Sequence, residues 1–223
     1  PFPAALEDAL NALAWLWKHG PPLNNKKSTW RKAAADAVYI SGDSAGGGLA
    51  LAVIAALGMD ELAPHIPLPP SCIPLRKAMV NGQRPPVTAL ALMSPWIDLT
   101  CSFPSYTTRQ WNASTQKGDF VFSDGDPQSE ITANITNVKR AKEGYASGAV
   151  TDLYDPRISP VYMPSEVLRK YLPPTLIVVG DAEVMLSESL EFTARAIEAS
   201  ASTTDSIKPA PVKLRVYRRM WHV

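Results

Sequence analysis

An α/β domain built on a mainly parallel sheet is the fold class this sequence predicts, and three observations carry the prediction. Short, nearly all-apolar runs of strand length recur at 37–41, 87–94 and 175–179, and proline or glycine bounds them. Segments whose apolar residues recur at helical spacing lie before and between these runs. A last run, Val212 to Tyr217, alternates apolar and polar residues as a fourth strand. Strands that alternate with helices along one chain pair in parallel through right-handed crossovers.

Each element has a local reason. Leu6, Leu10, Leu13, Leu16 and Trp17 share one helical face over residues 4–18, with Pro1 and Pro3 before and Gly20 after as start and stop signals. A polar linker follows over 21–32. The run 37–41 then ends abruptly in Gly42-Asp43-Ser44-Ala45-Gly46-Gly47-Gly48 and continues into an Ala/Leu-rich stretch to Leu57, which reads as strand, tight turn and helix. Residues 64–74 are proline-rich and read as a loop, and 87–94 is the second buried strand. Both of these first strands are expected to be covered on two faces, with helices on both sides of the sheet. Residues 101–165 are rich in Ser, Thr, Asn, Gly and Asp and read as an insertion of loops and short helices. Pro173-Pro174 introduces the third strand, and a helix is expected over 187–199.

Composition limits the function classes. With 223 residues, 46% hydrophobic and 19% charged, the chain is long enough for one domain with a substantial core, and no internal repeat is visible. Lys and Arg number 22 against 21 Asp and Glu, a net charge of +1, and the basic residues are scattered, so no nucleic-acid partner is expected. The longest apolar run, Leu49 to Met59, is far shorter than the ~20 residues that cross a bilayer. Cys72 and Cys101 have no metal-like neighbours and read as reduced thiols, and no metal or organic cofactor is expected. The chain opens on Pro1-Phe2-Pro3 without an initiator Met or a signal-peptide pattern and stops just after His222. This reads as a fragment cut at both ends, with a cytoplasmic compartment favoured. Asn112-Ala113-Ser114 and Asn134-Ile135-Thr136 fit the N-glycosylation pattern, from which secretion is not inferred.

The chemistry centres on Gly42-Asp43-Ser44-Ala45-Gly46, a G-x-S-x-G turn between a strand and a helix that pushes a serine oxygen clear of the sheet. Its glycines are expected where side chains would collide with neighbouring backbone. A serine hydroxyl attacks only when a base takes its proton, and that base is usually a histidine oriented by a carboxylate. Of three histidines, His19 ends the first helix, His65 sits in the proline-rich loop, and His222 follows the last strand. That places His222 at the carboxyl edge of the sheet, the edge that carries Ser44. The loop after the third strand offers two carboxylates at this edge, Asp181 and Glu183. Serine, acid and histidine then follow in the order used by α/β hydrolases. The backbone N–H of Ala45, next to the serine, is the expected donor to an oxyanion.

Five blocks make the resemblance specific. Phe2-Pro3-Ala4-Ala5-Leu6-Glu7-Asp8-Ala9, Gly42 to Gly47, Ser94-Pro95-Trp96-Ile97-Asp98-Leu99-Thr100, Asp155-Pro156-Arg157-Ile158-Ser159-Pro160 and Leu172-Pro173-Pro174 occur in order along the chain. Together they resemble the hormone-sensitive lipase-like esterases and lipases, the α/β hydrolase fold-3 family. The resemblance implies a single, partial α/β-hydrolase domain over 1–223, with the N-terminal strands missing. It implies Ser44 as nucleophile, His222 as general base and, four residues beyond the strand, Glu183 in the place of the family's usual Asp, with Asp181 as the rival acid. The family's upstream His-Gly-Gly-Gly loop, which supplies the other oxyanion donors, is absent from these residues. Asp98 and Asp155 fall at structural positions of the family, and Trp96, Trp111, Phe120 and Phe122 are candidates for an acyl pocket or for core.

The implied function is a serine carboxylic-ester hydrolase acting on small to medium acyl esters, with a small-molecule ester as its partner. Two rivals stand beside it: an amide or lactone hydrolase or acyl transferase with the same three residues, and an inactive hydrolase-fold module that binds a ligand or partner. A third possibility is a fragment that does not fold alone.

Overall fold

The computed structural model describes residues 2–20, 37–59, 68–82, 86–109, 118–119, 144–146, 152–201 and 211–222. Helix α1 (Ala4–His19) leads to strand β1 (Tyr39–Asp43), which turns directly into α2 (Ser44–Gly58). A 3₁₀ turn (Pro70–Cys72) runs into α3 (Ile73–Val80), and β2 (Ala89–Met93) and the one-turn α4 (Ser105–Thr108) follow. After a second 3₁₀ turn (Pro160–Tyr162) come α5 (Ser165–Tyr171), β3 (Thr175–Gly180), α6 (Leu186–Ala201) and β4 (Val212–Tyr217). The four strands pair in parallel in the order β1-β2-β3-β4. The expected parallel sheet with intervening helices is therefore present.

The register places Ile40, Leu90, Thr175 and Val212 in one row and Gly42, Leu92, Ile177 and Leu214 in the next on the same face. Leu90, Leu92 and Ile177 are buried there in one core with Leu51 and Ile54 of α2, Leu168 of α5 and Phe192 of α6, and Ile40 and Leu214 pack against it. Burying a leucine or isoleucine side chain contributes roughly 1.5–3 kcal/mol, so this shared core is what joins the helices to the sheet. Helix α2 is apolar all round, and residues 50–57 are all buried, as expected of a helix packed against α1, α3, α5 and two strands. By contrast α1 buries only the stripe Leu6, Leu10, Leu13 and Ala14.

Two expectations are corrected here. Helices on both faces of the sheet, with β1 and β2 covered on two sides, are not what the described residues form. The opposite face, with Ser41, Ala91, Leu176 and Lys213 in one row, is exposed. The all-apolar run of β2 reads as buried on both faces because Ala89, Ala91 and Met93 are apolar, yet alternate residues of a strand point to opposite sides. Helix α3 also begins within the stretch read as a proline loop. Its Pro74 occupies the first turn, where a missing N–H costs a helix nothing.

Cys72 and Cys101 are both buried and free. The Cys72 thiol donates to the carbonyl of Leu10 at 3.3 Å and so ties the 3₁₀ turn to α1, and burial pushes both thiols up. Among the described residues no helix is long and apolar enough to cross a membrane.

Candidate active site

Ser44 begins α2 immediately at the end of β1 with φ of +49°, in the left-handed region that disfavours side-chain-bearing residues. The chain makes this turn because the backbone closes on itself. A Cβ at Gly42 would lie 2.4 Å from the carbonyl oxygen of Gly46, one at Gly47 2.7 Å from Cβ of Pro95, and one at Gly48 2.1 Å from the carbonyl oxygen of Trp96. Gly46, expected from the pattern to be sterically required, has nothing within 4 Å among the described residues. The packing demand falls instead on Gly42 and on the two glycines after the pentapeptide, which let α2 approach the loop that follows β2. That loop is fastened to the turn by the Trp96 N–H, which donates to the Ser44 carbonyl at 2.9 Å.

His222 arrives from the far end of the chain. Beyond β4 the backbone turns at Arg219, whose φ is +59°, and this arm is laced to the loop after β3. Asp181 N–H donates to the Tyr217 carbonyl at 2.9 Å, Ala182 N–H to the Met220 carbonyl at 3.1 Å, and Arg219 N–H to Asp181 Oδ1 at 2.6 Å. Gly180 is glycine because a Cβ there would lie 2.0 Å from the Met220 carbonyl oxygen.

The result is a continuous chain of side chains. His222 Nε2 lies 2.9 Å from Ser44 Oγ, and His222 Nδ1 lies 3.3 Å from Glu183 Oε2. An ionised carboxylate only accepts, so Nδ1 carries the proton and Nε2 is left as the acceptor for the serine O–H. The Glu183 side chain is 1% exposed and that of His222 7%, so the pair is largely shielded from water. Glu183 Oε1 accepts from Gly180 N–H at 2.5 Å and from Ser94 Oγ at 2.7 Å. Asp181, the other carboxylate of this loop, faces the Arg219 amide rather than the imidazole. The Ala45 N–H lies in the first turn of α2, where amides have no partner within the helix.

Other residues singled out from sequence have different places. His19 ends α1 with its ring 5.5 Å from that of Trp15. His65, Trp111, Phe120, Phe122 and both Asn-x-Ser/Thr triplets lie outside the described residues. Asp98 is a loop organiser that accepts from the N–H groups of Thr100 at 2.9 Å and Ser102 at 2.8 Å, and Asp155 pairs with Arg157 at 2.5 Å. Trp96, Leu99 and Ile158 join Ala45, Gly48 and Ala52 in lining an apolar cavity of about 80 Å³ beside the serine turn.

Sequence reasoning missed Ser94 and Glu188. Ser94 was legible as the residue ending the second strand at the same carboxyl edge as Ser44. Glu188 sits in α6, fully buried, where it accepts from the Ile97 N–H at 2.7 Å and meets the Tyr106 hydroxyl, binding the β2 loop to α6. Burial pushes its carboxyl well above the usual carboxylate range.

Comparison with known proteins covers the chain as a whole. The alpha/beta hydrolase fold family profile matches residues 1–223. An acetyl-hydrolase of Streptomyces hygroscopicus is 31% identical over 223 residues, which are 100% of this chain and 52% of that protein. The chain thus spans about half the length of this relative. Among solved structures, an esterase/lipase from an uncultured bacterium is 30% identical with a TM-score of 0.58, over 100% of this chain and 53% of that one. A hormone-sensitive lipase from a metagenome library is 28% identical with a TM-score of 0.60, over 100% and 54%. With a profile match over its whole length and a parallel sheet carrying a serine at a strand-to-helix turn, the chain belongs to the alpha/beta hydrolase fold family.

Proposed function

We propose that this chain carries the catalytic half of a serine carboxylic-ester hydrolase, with Ser44 as nucleophile, His222 as general base and acid, and Glu183 as the carboxylate that orients the imidazole. The observation that supports this most is the hydrogen-bonded chain from Ser44 Oγ through both nitrogens of His222 to a buried Glu183. The names of its relatives, an acetyl-hydrolase and several esterases, point to the same reaction class.

The chemistry follows from that arrangement. Ser44 Oγ attacks the ester carbonyl carbon while His222 Nε2 takes the hydroxyl proton, and Glu183 stabilises the imidazolium that forms. The carbonyl oxygen becomes an oxyanion, to which the Ala45 N–H donates. Collapse of this tetrahedral species breaks the carbonyl carbon–alkoxy bond, and the proton on His222 passes to the departing alcohol. His222 then removes a proton from water, the hydroxide adds to the acyl-serine carbonyl, and the acid leaves as Ser44 recovers its proton. The apolar cavity of about 80 Å³ lined by Ala45, Trp96 and Leu99 is the proposed seat of the acyl group.

The deciding experiment treats the full-length gene product and this 223-residue chain with a fluorophosphonate probe and maps the label by peptide mass spectrometry. Label on Ser44 supports the reading, and no label on a folded full-length protein sinks it. A panel of p-nitrophenyl esters, anilides and lactones then separates ester hydrolysis from its amide and lactone rivals.

A further inference from the structure

We propose that Ser94 is a positioning residue for the proposed ester hydrolysis: its hydroxyl holds the carboxylate of Glu183 by one oxygen so that the other is presented to His222. This rests on the reading of Ser44, His222 and Glu183 given above.

The need for such a residue comes from the acid itself. A glutamate has one more rotatable bond than an aspartate, so its carboxylate sweeps a larger volume, and holding it in one geometry costs side-chain entropy. Glu183 is held at one oxygen by two donors from different elements. Gly180 N–H, at the end of β3 and three residues before it, reaches Oε1 at 2.5 Å, and Ser94 Oγ, at the end of the neighbouring β2, reaches the same atom at 2.7 Å. The Gly180 contact ties the carboxylate to the end of its own strand, β3. The Ser94 contact adds a tie to the end of β2, the strand that pairs with β1 and so stands between the acid and Ser44.

Ser94 is itself placed at some cost. Its φ is +44°, a conformation that disfavours a serine, its side chain is buried, and its own N–H donates to the Val178 carbonyl of β3 at 2.7 Å. A glycine would take this backbone more easily. The hydroxyl is therefore what a serine adds here, and the hydrogen bond that the structure shows for it runs to Glu183 Oε1. With that bond gone, the carboxylate is held by the Gly180 N–H alone, and the 3.3 Å contact to His222 Nδ1 is less tightly directed.

The test uses the full-length enzyme with Ser94→Gly and Ser94→Ala, assayed on p-nitrophenyl acetate and butyrate beside Ser44→Ala. Glycine relieves the left-handed backbone and this offsets the lost buried hydrogen bond to Glu183, so Ser94→Gly keeps the thermal midpoint of the parent, and a purely structural role for Ser94 would leave its turnover unchanged. The expected result is a kcat lowered roughly 10- to 100-fold with KM within about twofold, because misplacement acts on the transition state rather than on substrate binding. In a Glu183→Gln background the same substitution is expected to cause no further loss, since both act on one carboxylate. A Ser94→Gly enzyme with parental kcat, or an equal loss in both backgrounds, overturns the proposal while leaving the ester-hydrolase reading intact. Full turnover by Ser44→Ala overturns that reading, and the proposal with it.

Discussion

Asp181 accepts a hydrogen bond at 2.6 Å from the backbone N–H of Arg219, a residue whose φ is +59°. A carboxylate two positions from Glu183 thereby clamps the turn that delivers His222, three residues further along. Asp181→Ala is expected to lower kcat by roughly 10-fold by loosening this arm, and Asp181→Asn, whose side-chain oxygen still accepts, is expected to restore most of the loss. Steady-state kinetics of the two variants check this. Indistinguishable behaviour of Asp181→Ala and wild type would leave the clamp without functional weight.

Glu183→Gln keeps the shape of the side chain but offers His222 Nδ1 an uncharged partner that can present its amide N–H₂ instead. The imidazole then adopts the wrong tautomer and its cation is no longer stabilised, so kcat is expected to fall about 10⁴-fold. Glu183→Asp retains the charge with a shorter reach and is expected to lose far less. Comparing kcat of both variants with wild type on one p-nitrophenyl ester is sufficient.

Backbone strain at Ser44 gives a stability prediction. A side-chain-bearing residue in the left-handed region costs roughly 1–2 kcal/mol, so Ser44→Gly is expected to stabilise the fold by about 1 kcal/mol while abolishing turnover. Thermal melting beside an esterase assay tests both halves. A Ser44→Gly protein that melts below wild type would show that the turn is not strained.

The glycines of the turn are expected to be unequal. Gly48→Ala would place a Cβ 2.1 Å from the Trp96 carbonyl oxygen and should destabilise by about 1–3 kcal/mol or prevent folding, since that neighbour is backbone. Gly46→Ala in this 223-residue chain meets nothing within 4 Å among the described residues and adds helix propensity, so it should be neutral or mildly stabilising. Chemical denaturation midpoints of the two variants check the order.

Glu188 predicts a pH dependence of stability. Burial raises its carboxyl above the ordinary value of 4.5, so the folded chain holds a proton that the unfolded chain releases. The favourable contribution is complete below the unfolded value and is lost as pH rises through the folded one, giving stability that falls with pH across that window. Glu188→Gln, neutral at every pH and able to accept from Ile97 N–H and donate to Tyr106, is expected to remove this slope and to gain on wild type as pH rises. Melting curves from pH 5 to pH 9 test it.

The fold class, the position of the serine turn and the short set of side chains from which a site is made are legible in the amino-acid order alone. Those properties are written locally: apolar runs of strand length, a glycine cluster between strand and helix, and a histidine and two carboxylates at strand ends. Packing decides which carboxylate faces the imidazole, because Asp181 and Glu183 occupy one loop and the groups that approach each of them come from β2 and from beyond β4. It also decides that Ser94 touches the acid and that Gly48 rather than Gly46 is sterically required, since both depend on contacts between segments far apart in the chain. The exposed sheet face was illegible for a related reason: an apolar residue has the same identity whether or not a helix covers it, so composition records the tendency to be buried and packing alone records the burial.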